Sequence, residues 1–282
     1  MTTRQPAKYM SKVRPLLAEP HPEACRVLDA GCGTGRKSTQ LARIGFSVTA
    51  TAYETKRPQG LPEGVEFVGG VDLNGKWPWE DATFDYVYLS EVIEHLESLP
   101  ATIREVRRVL KPGGGWLITC PNTATAYGRF YFLATGLLPG MKYPVPLTIP
   151  PVPGDNLYMP HLWQLWYFFH HYGFRIEGMF WDRVCMRSLC LAPLVYPCML
   201  LGMAYAYTKV RDHDLLQGAI TPDQLDAARR AQRESNRGLA STYLSPKMML
   251  SQSLILVARK TAEGDRAMRP APSRTILARS GR

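Results

Sequence analysis

Apolar and polar residues follow two rhythms along this chain. Short, mostly apolar runs of strand length fall at 27–30, 46–52, 65–69, 84–90, 116–120, 174–181 and 254–258. Between several of them lie stretches with helical spacing, clearest at 36–44 and at 99–110. Strands that alternate with helices at this interval predict βαβ units and a mostly parallel sheet, an α/β fold. Pro58, Gly60 and Pro62 mark the loop before the third strand. The KPGGG run at 111–115 is expected to end the second helix and turn into the fifth strand. Residues 1–25 are polar and proline-punctuated, with a weak helical stripe of Tyr9, Met10, Val13, Leu16 and Leu17.

At 282 residues the chain has room for one sizeable domain plus an insertion. Apolar content of 45% and charged content of 21% are those of an ordinary globular protein. Six cysteines form no C-x-x-C pair and no Cys/His ligand spacing, which points to a reducing compartment and away from a metal site. No apolar signal core opens the chain, so it is expected to be neither secreted nor anchored at its N-terminus. The net charge of +10 lies partly in the tail after Arg259. Nucleic acid, an anionic membrane face, or a solvated disordered tail each account for such a balance.

The stretch VLDAGCGTG at 27–35 carries the first chemistry. A buried strand runs into an acid, then glycines fall on alternate positions and a helix begins, so the free amides of the helix point back at a turn open to a ligand. Arg36 stands where a dinucleotide fingerprint needs its third glycine, and no Gly-Lys-Ser/Thr follows, so neither a dinucleotide nor a Walker phosphate loop fits. Further along come FDYVYLSEVIEHL at 84–96 and REVRRVLKPGGGWLITCPN at 104–122.

With the DAGCGTG turn, these ordered motifs resemble the small-molecule branch of the class I S-adenosylmethionine-dependent methyltransferases, the type-11 or ubiquinone-biosynthesis kind. The resemblance covers about a hundred residues. It implies a Rossmann-like seven-stranded sheet, mostly parallel with an antiparallel last strand, with S-adenosylmethionine as cofactor and no metal. By the same carry-over, Asp29 orients the methionine amino group while Gly31, Cys32, Gly33 and Gly35 make room for it. Asp72 matches the acid near the adenine amino group, with Leu73 against the ring; alternatively Asp72 caps its own turn. The ribose acid that the family places at the end of the second strand is missing, since that slot holds Ala52 or Tyr53, and Glu54 is the nearest substitute.

Ser90, Glu91, Glu94 and His95 follow the fourth strand, at the sheet edge where open α/β folds bind ligands. Ser90 goes to the cofactor. Glu91 and His95 are four apart and would share a helix face, with His95 as the base that removes a hydroxyl proton. The alternative is a helix-start histidine bonded to a neighbour. Oxygen of a small-molecule or lipid-linked acceptor is the expected target. Nitrogen or carbon methylation, or a degenerate scaffold that binds the cofactor without catalysis, remain as rivals. Nucleic acid is disfavoured as partner because no Asn/Asp-Pro-Pro-Tyr/Phe motif follows the fourth strand. The oligomeric state is not encoded in any pattern.

The expected organisation is an N-terminal cap at 1–25, a core at 26–181 whose residues 121–173 cap the substrate side, an insertion at 182–253, a last core strand at 254–260 and a basic, disordered tail at 261–282. Within the insertion, residues 188–208 contain no charge and are bracketed by Arg187 and Lys209. Pro193 and Pro197 are expected to break a helix there, leaving a bent segment that dips into one leaflet, a lid over a greasy acceptor, or an ordinary buried helical pair. A charged helix should follow from the TPDQ capping box at 221–224 to near Gly238. Peripheral membrane contact through 188–208, aided by the aromatic run 130–138, accordingly accompanies an expected cytoplasmic location at the inner face of a membrane.

Overall fold

The computed structural model describes residues 22–140, 156–157, 159–209 and 241–262. Seven strands follow in chain order: β1 (Arg26–Ala30), β2 (Ser47–Ala52), β3 (Glu66–Gly69), β4 (Phe84–Ser90), β5 (Leu110–Pro121), β6 (Phe174–Trp181) and β7 (Ser253–Lys260). They form one sheet in the order β3-β2-β1-β4-β5-β7-β6. Every pair from β3 across to β5 is parallel, and β7 lies antiparallel between β5 and β6. This is the expected α/β sheet with its antiparallel last strand.

The central strands are apolar nearly throughout because both of their faces are covered. On one face Trp77, Phe84, Trp116 and Phe169 pack with Ile103 and Val106. On the other, Leu41, Phe46, Tyr86 and Leu117 do the same. Helices α1 (Arg36–Ile44), α2 (Leu99–Val109), α3 (Ala126–Thr135), α4 (Leu162–His171), α5 (Met186–Lys209) and α6 (Pro246–Leu250) supply the covering layers. In α2 the buried stripe Leu99, Ile103, Val106 and Val109 has helical spacing, and the Ser98 hydroxyl caps its start by accepting from the Ala101 amide.

The strand order reverses between β1 and β4. The chain builds β1, β2 and β3 towards one edge, then returns to lay β4 on the other side of β1. A crevice opens at the carboxyl ends of such a pair, where the connections leave in opposite directions. The glycine turn after β1 and the acidic segment after β4 both line it.

Two expectations fail. The KPGGG run is not a turn ahead of the fifth strand but part of β5, which begins at Leu110. Phe84 pairs with Leu110 and Tyr86 already with Gly115, so the residues between loop out of the ladder as a bulge, with Gly113 at φ 73°. Pro193 and Pro197, expected to break the insertion's first helix, both lie inside the continuous α5. Their spacing of four puts them on one side of the helix, and both are exposed, so water can meet the carbonyls they leave unpaired. Nor is α5 a buried helical pair. Val195 and Met199 pack against Ala126 of α3 and Met249 of α6, whereas Leu194, Leu201 and Tyr205 face outward. The N-terminal stripe, the helix predicted after residue 221 and the basic tail lie outside the described residues.

Candidate active site

Two backbone amides pin the glycine turn to the neighbouring strand. Gly31 N and Cys32 N both donate to the Thr51 carbonyl, at 3.0 and 2.8 Å. Gly31 has φ 83°, and a Cβ there would stand 2.6 Å from a Val92 methyl, so only glycine closes this turn. Gly33, at φ 52°, has nothing within 4 Å of where a Cβ would be. That opening is a cradle that a side chain would fill. Gly35 forms the N-cap of α1 without a side-chain cap, leaving the first helical amides directed at the same turn.

Asp29 closes the floor of the cradle. It is 1% exposed, and its Oδ2 accepts the Ser38 hydroxyl. Burial pushes its carboxyl up to about 6, against the opposing pull of Ser38 and Lys37. Cys32 is buried next to it, and desolvation holds its thiol neutral, pushed up to about 12. The thiol therefore lines the turn and is no nucleophile.

Across the crevice Glu91 adopts φ 54°, an unusual conformation for a residue with a side chain. Its amide donates to the Thr119 carbonyl at 2.9 Å. A hydroxyl relay holds its carboxylate: Ser90 Oγ donates to Thr119 Oγ1, which donates to Glu91 Oε1, each at 3.0 Å. Although Glu91 opens on solvent, the protein crowded around its carboxyl raises its pKa; Asp182 adds to the rise while Thr119, Lys37 and His95 oppose it.

The expected helix shared by Glu91 and His95 is absent. Glu91 lies outside the single 3-10 turn Ile93–His95, because its left-handed backbone precedes that turn. His95 is half-buried, its amide bonded to the Val92 carbonyl and its Nε2 3.9 Å from Glu94 Oε1. Glu94 is itself buried, with Oε2 lacking a hydrogen-bond partner, and burial pushes its carboxyl up to about 8.

The remaining predicted residues are spread along the crevice rim. Glu54 is exposed after β2, with its carboxylate close enough to act on the Cys32 thiol. Asp72 accepts from both the backbone and side-chain nitrogens of Asn74 through Oδ1, so it does cap its own turn, while remaining exposed. Leu73 is 8% exposed and belongs to the core around Trp77. The sequence does not single out Lys37 or Thr119, although Thr119 lies within the 104–122 run; Thr119 reaches Glu91 only through strand pairing. Among the described residues, no cluster of three or more His, Cys, Asp or Glu could hold a metal ion.

A family model for the methyltransferase domain matches residues 1–187. The chain belongs to this methyltransferase family. A sterol 24-C-methyltransferase of Gibberella zeae is 37% identical over 109 residues, 33% of this chain and 28% of that protein. A malonyl-[acyl-carrier protein] O-methyltransferase of Erwinia pyrifoliae is 40% identical over 94 residues, 32% of this chain and 35% of that one. A ubiquinone biosynthesis O-methyltransferase of Xanthomonas axonopodis pv. citri is 35% identical over 111 residues, 37% of this chain and 46% of that one. The methyltransferase thus spans less than half the length of these curated relatives. The crystal structure of a SAM dependent methyltransferase from Archaeoglobus fulgidus shares its fold, with a TM-score of 0.50 and 18% identity over 90% of this chain and 94% of that one.

The cofactor of this methyltransferase is S-adenosylmethionine, and the residues present fit it. The cofactor carries an ammonium and a sulfonium. Burial holds the carboxyls of both Asp29 and Glu91 above the usual carboxylate range, and Lys37 opposes the rise at each. At Gly33 a Cβ would meet nothing, so the turn after Asp29 is open there.

Proposed function

We propose that this methyltransferase acts on a hydroxyl oxygen of a small apolar or lipid-linked acceptor, with His95 as general base and Glu91 as the group that keeps the crevice anionic. The observation that carries this reading is the left-handed Glu91 at the carboxyl end of β4. Strained backbone persists where the surroundings over-determine it, and here the Thr119 relay does so beside the cradle. Asp29, Glu54 and Asp72 hold the cofactor's ammonium, ribose and adenine in this reading. The described parts of 121–173 and 182–253, helices α3 and α5 among them, form the acceptor side in this reading.

When bound, S-adenosylmethionine supplies an electrophilic methyl group. His95 would accept the proton of the acceptor hydroxyl, while Asp29, Glu54 and Asp72 would hold the donor so that its methyl group meets that oxygen. Among the partly similar relatives, whose names specify a sterol, malonyl-[acyl-carrier protein] and ubiquinone biosynthesis, the sterol and ubiquinone names support an apolar acceptor. Two of the three are O-methyltransferases and one methylates carbon, which keeps carbon methylation as the second reading.

The test uses labelled S-adenosylmethionine with an alkylated catechol as probe. His95→Ala should lower turnover by roughly a hundredfold or more and leave S-adenosylhomocysteine affinity unchanged by calorimetry. Loss of affinity with intact turnover would reverse the assignment, and no binding of S-adenosylhomocysteine at millimolar ligand would leave only a degenerate scaffold.

A further inference from the structure

All the connections that follow β5 and β6 or lead into β7 leave the sheet at one edge, because β7 alone runs antiparallel. That edge also holds the glycine cradle. Helices α3 and α5 sit there against each other: Tyr127 N donates to Ser188 Oγ at 3.2 Å, and the Arg187 guanidinium lies 5.4 Å over the Tyr127 ring. Their outward sides are unusually greasy. Leu133 is 84% exposed and Leu201 74%, with Phe132, Leu194 and Tyr205 exposed beside them. Met186–Tyr205 is long and apolar enough to cross a membrane, yet unlike a core helix it is mostly uncovered.

We propose that the outer sides of α3 and α5 dock in the plane of an anionic lipid bilayer, with the acceptor cleft facing the leaflet. Charge identifies the occupant. No acidic residue occurs from 183 to 211 or from 106 to 154, and Arg183 and Arg187 are exposed at the start of α5. An apolar strip whose margin exposes Arg183 and Arg187, with the neighbouring Asp182 engaged by Ser251 and Ser253, matches acyl chains beneath anionic headgroups.

The orientation also follows. One side of α5 is committed to α3 and α6 through Val195 and Met199. Strands β6 and β7, which flank the insertion, pair in a single sheet, so both lie on one side of any bilayer. At 1.5 Å per residue α5 extends about 36 Å along the surface, lying in it rather than spanning it. The contact rests on this exposed surface, and on the proposed function only for the nature of the acceptor.

The experiment is flotation of the full chain with vesicles of phosphatidylcholine and phosphatidylglycerol, against phosphatidylcholine alone, at low and high salt. The chain should float with the anionic vesicles and release partly in salt. Leu194→Glu combined with Leu201→Glu, both at exposed positions, should weaken partitioning by roughly tenfold or more with S-adenosylhomocysteine affinity unchanged. A chain that stays with the soluble fraction at low salt, a double variant that floats like the wild type, or a dimer cross-linked through the exposed Cys190 and Cys198 would each overturn the proposal. The calorimetric arm keeps the outcomes apart: binding without flotation refutes the membrane surface alone, and flotation without binding refutes the proposed function alone.

Discussion

Asp29 offers a perturbation whose magnitude can be worked out beforehand. Burial raises its carboxyl from an ordinary 3.8 to about 6 in the folded protein. A folded-state pKa above the unfolded one means that the chain favours the protonated acid. The stability that form confers is fully present below pH 4 and is lost as pH rises through 6. A gap of about two pH units at ~1.4 kcal/mol each comes to about 3 kcal/mol at pH 8. Asp29→Asn keeps the shape and an oxygen to accept from Ser38, so the unliganded variant should be more stable than the wild type by that amount. For a domain of this size each kcal/mol moves the melting point by roughly 2–4 °C, hence a rise of about 6–12 °C. At pH 5 the advantage should fall to about half, because the wild-type acid is then mostly protonated in the folded state. Differential scanning calorimetry at both pH values measures it, and titration with S-adenosylhomocysteine should show affinity lost in the same variant. A variant no more stable at pH 8, an advantage that does not shrink at pH 5, or undiminished ligand binding would each refute the reasoning.

Gly33→Ala should fold, because its Cβ meets nothing, at a cost of about 1 kcal/mol for the left-handed backbone. It should nevertheless weaken S-adenosylhomocysteine binding by roughly tenfold or more, measured by calorimetry, since the methyl enters the cradle. Asn122→Ala should act on stability. The buried Asn122 Nδ2 donates to the carbonyls of Met248 and Ser251 at 2.7 and 2.9 Å, and Oδ1 accepts from Ala124 N at 3.0 Å. At about 1 kcal/mol per bond the variant should lose about 3 kcal/mol by chemical unfolding, with the change in urea midpoint as the readout.

What the sequence made legible is what local pattern encodes. The β1 run, the glycines at 31, 33 and 35 and the capped stripe of α2 are each written in a dozen residues or fewer. The start of β5 was not, because glycine-rich strands with a bulge read like turns and only the partner strand decides between them. Nor could the path of α5 be read from Pro193 and Pro197. Proline's cost depends on whether water reaches the carbonyls it leaves, and exposure is a property of the folded chain. Glu91's left-handed backbone has no residue-type signature, so the sequence invited a helix that places Glu91 and His95 on one face. Thr119 joins the site across 28 residues from Glu91 through strand pairing, and no motif spacing announces such a partner.

The acids of the site also explain why its geometry is more than a family likeness. Asp29, Glu91 and Glu94 are all held above the usual carboxylate range by loss of water, and Lys37 is pulled down for the same reason. A poorly compensated buried charge weakens the native state, and of these acids Asp29 and Glu94 are buried whereas Glu91 is exposed. Glu94, at 2% exposure and about 8, stays protonated at neutral pH and keeps that corner neutral. Asp29, at about 6, is ionised at neutral pH, and Lys37 lies close enough to act on its carboxylate and on that of Glu91. An ammonium brought against Asp29 would offset the burial of its carboxylate, which is why the Asp29→Asn variant, stabilised when empty, is expected to lose affinity for S-adenosylhomocysteine.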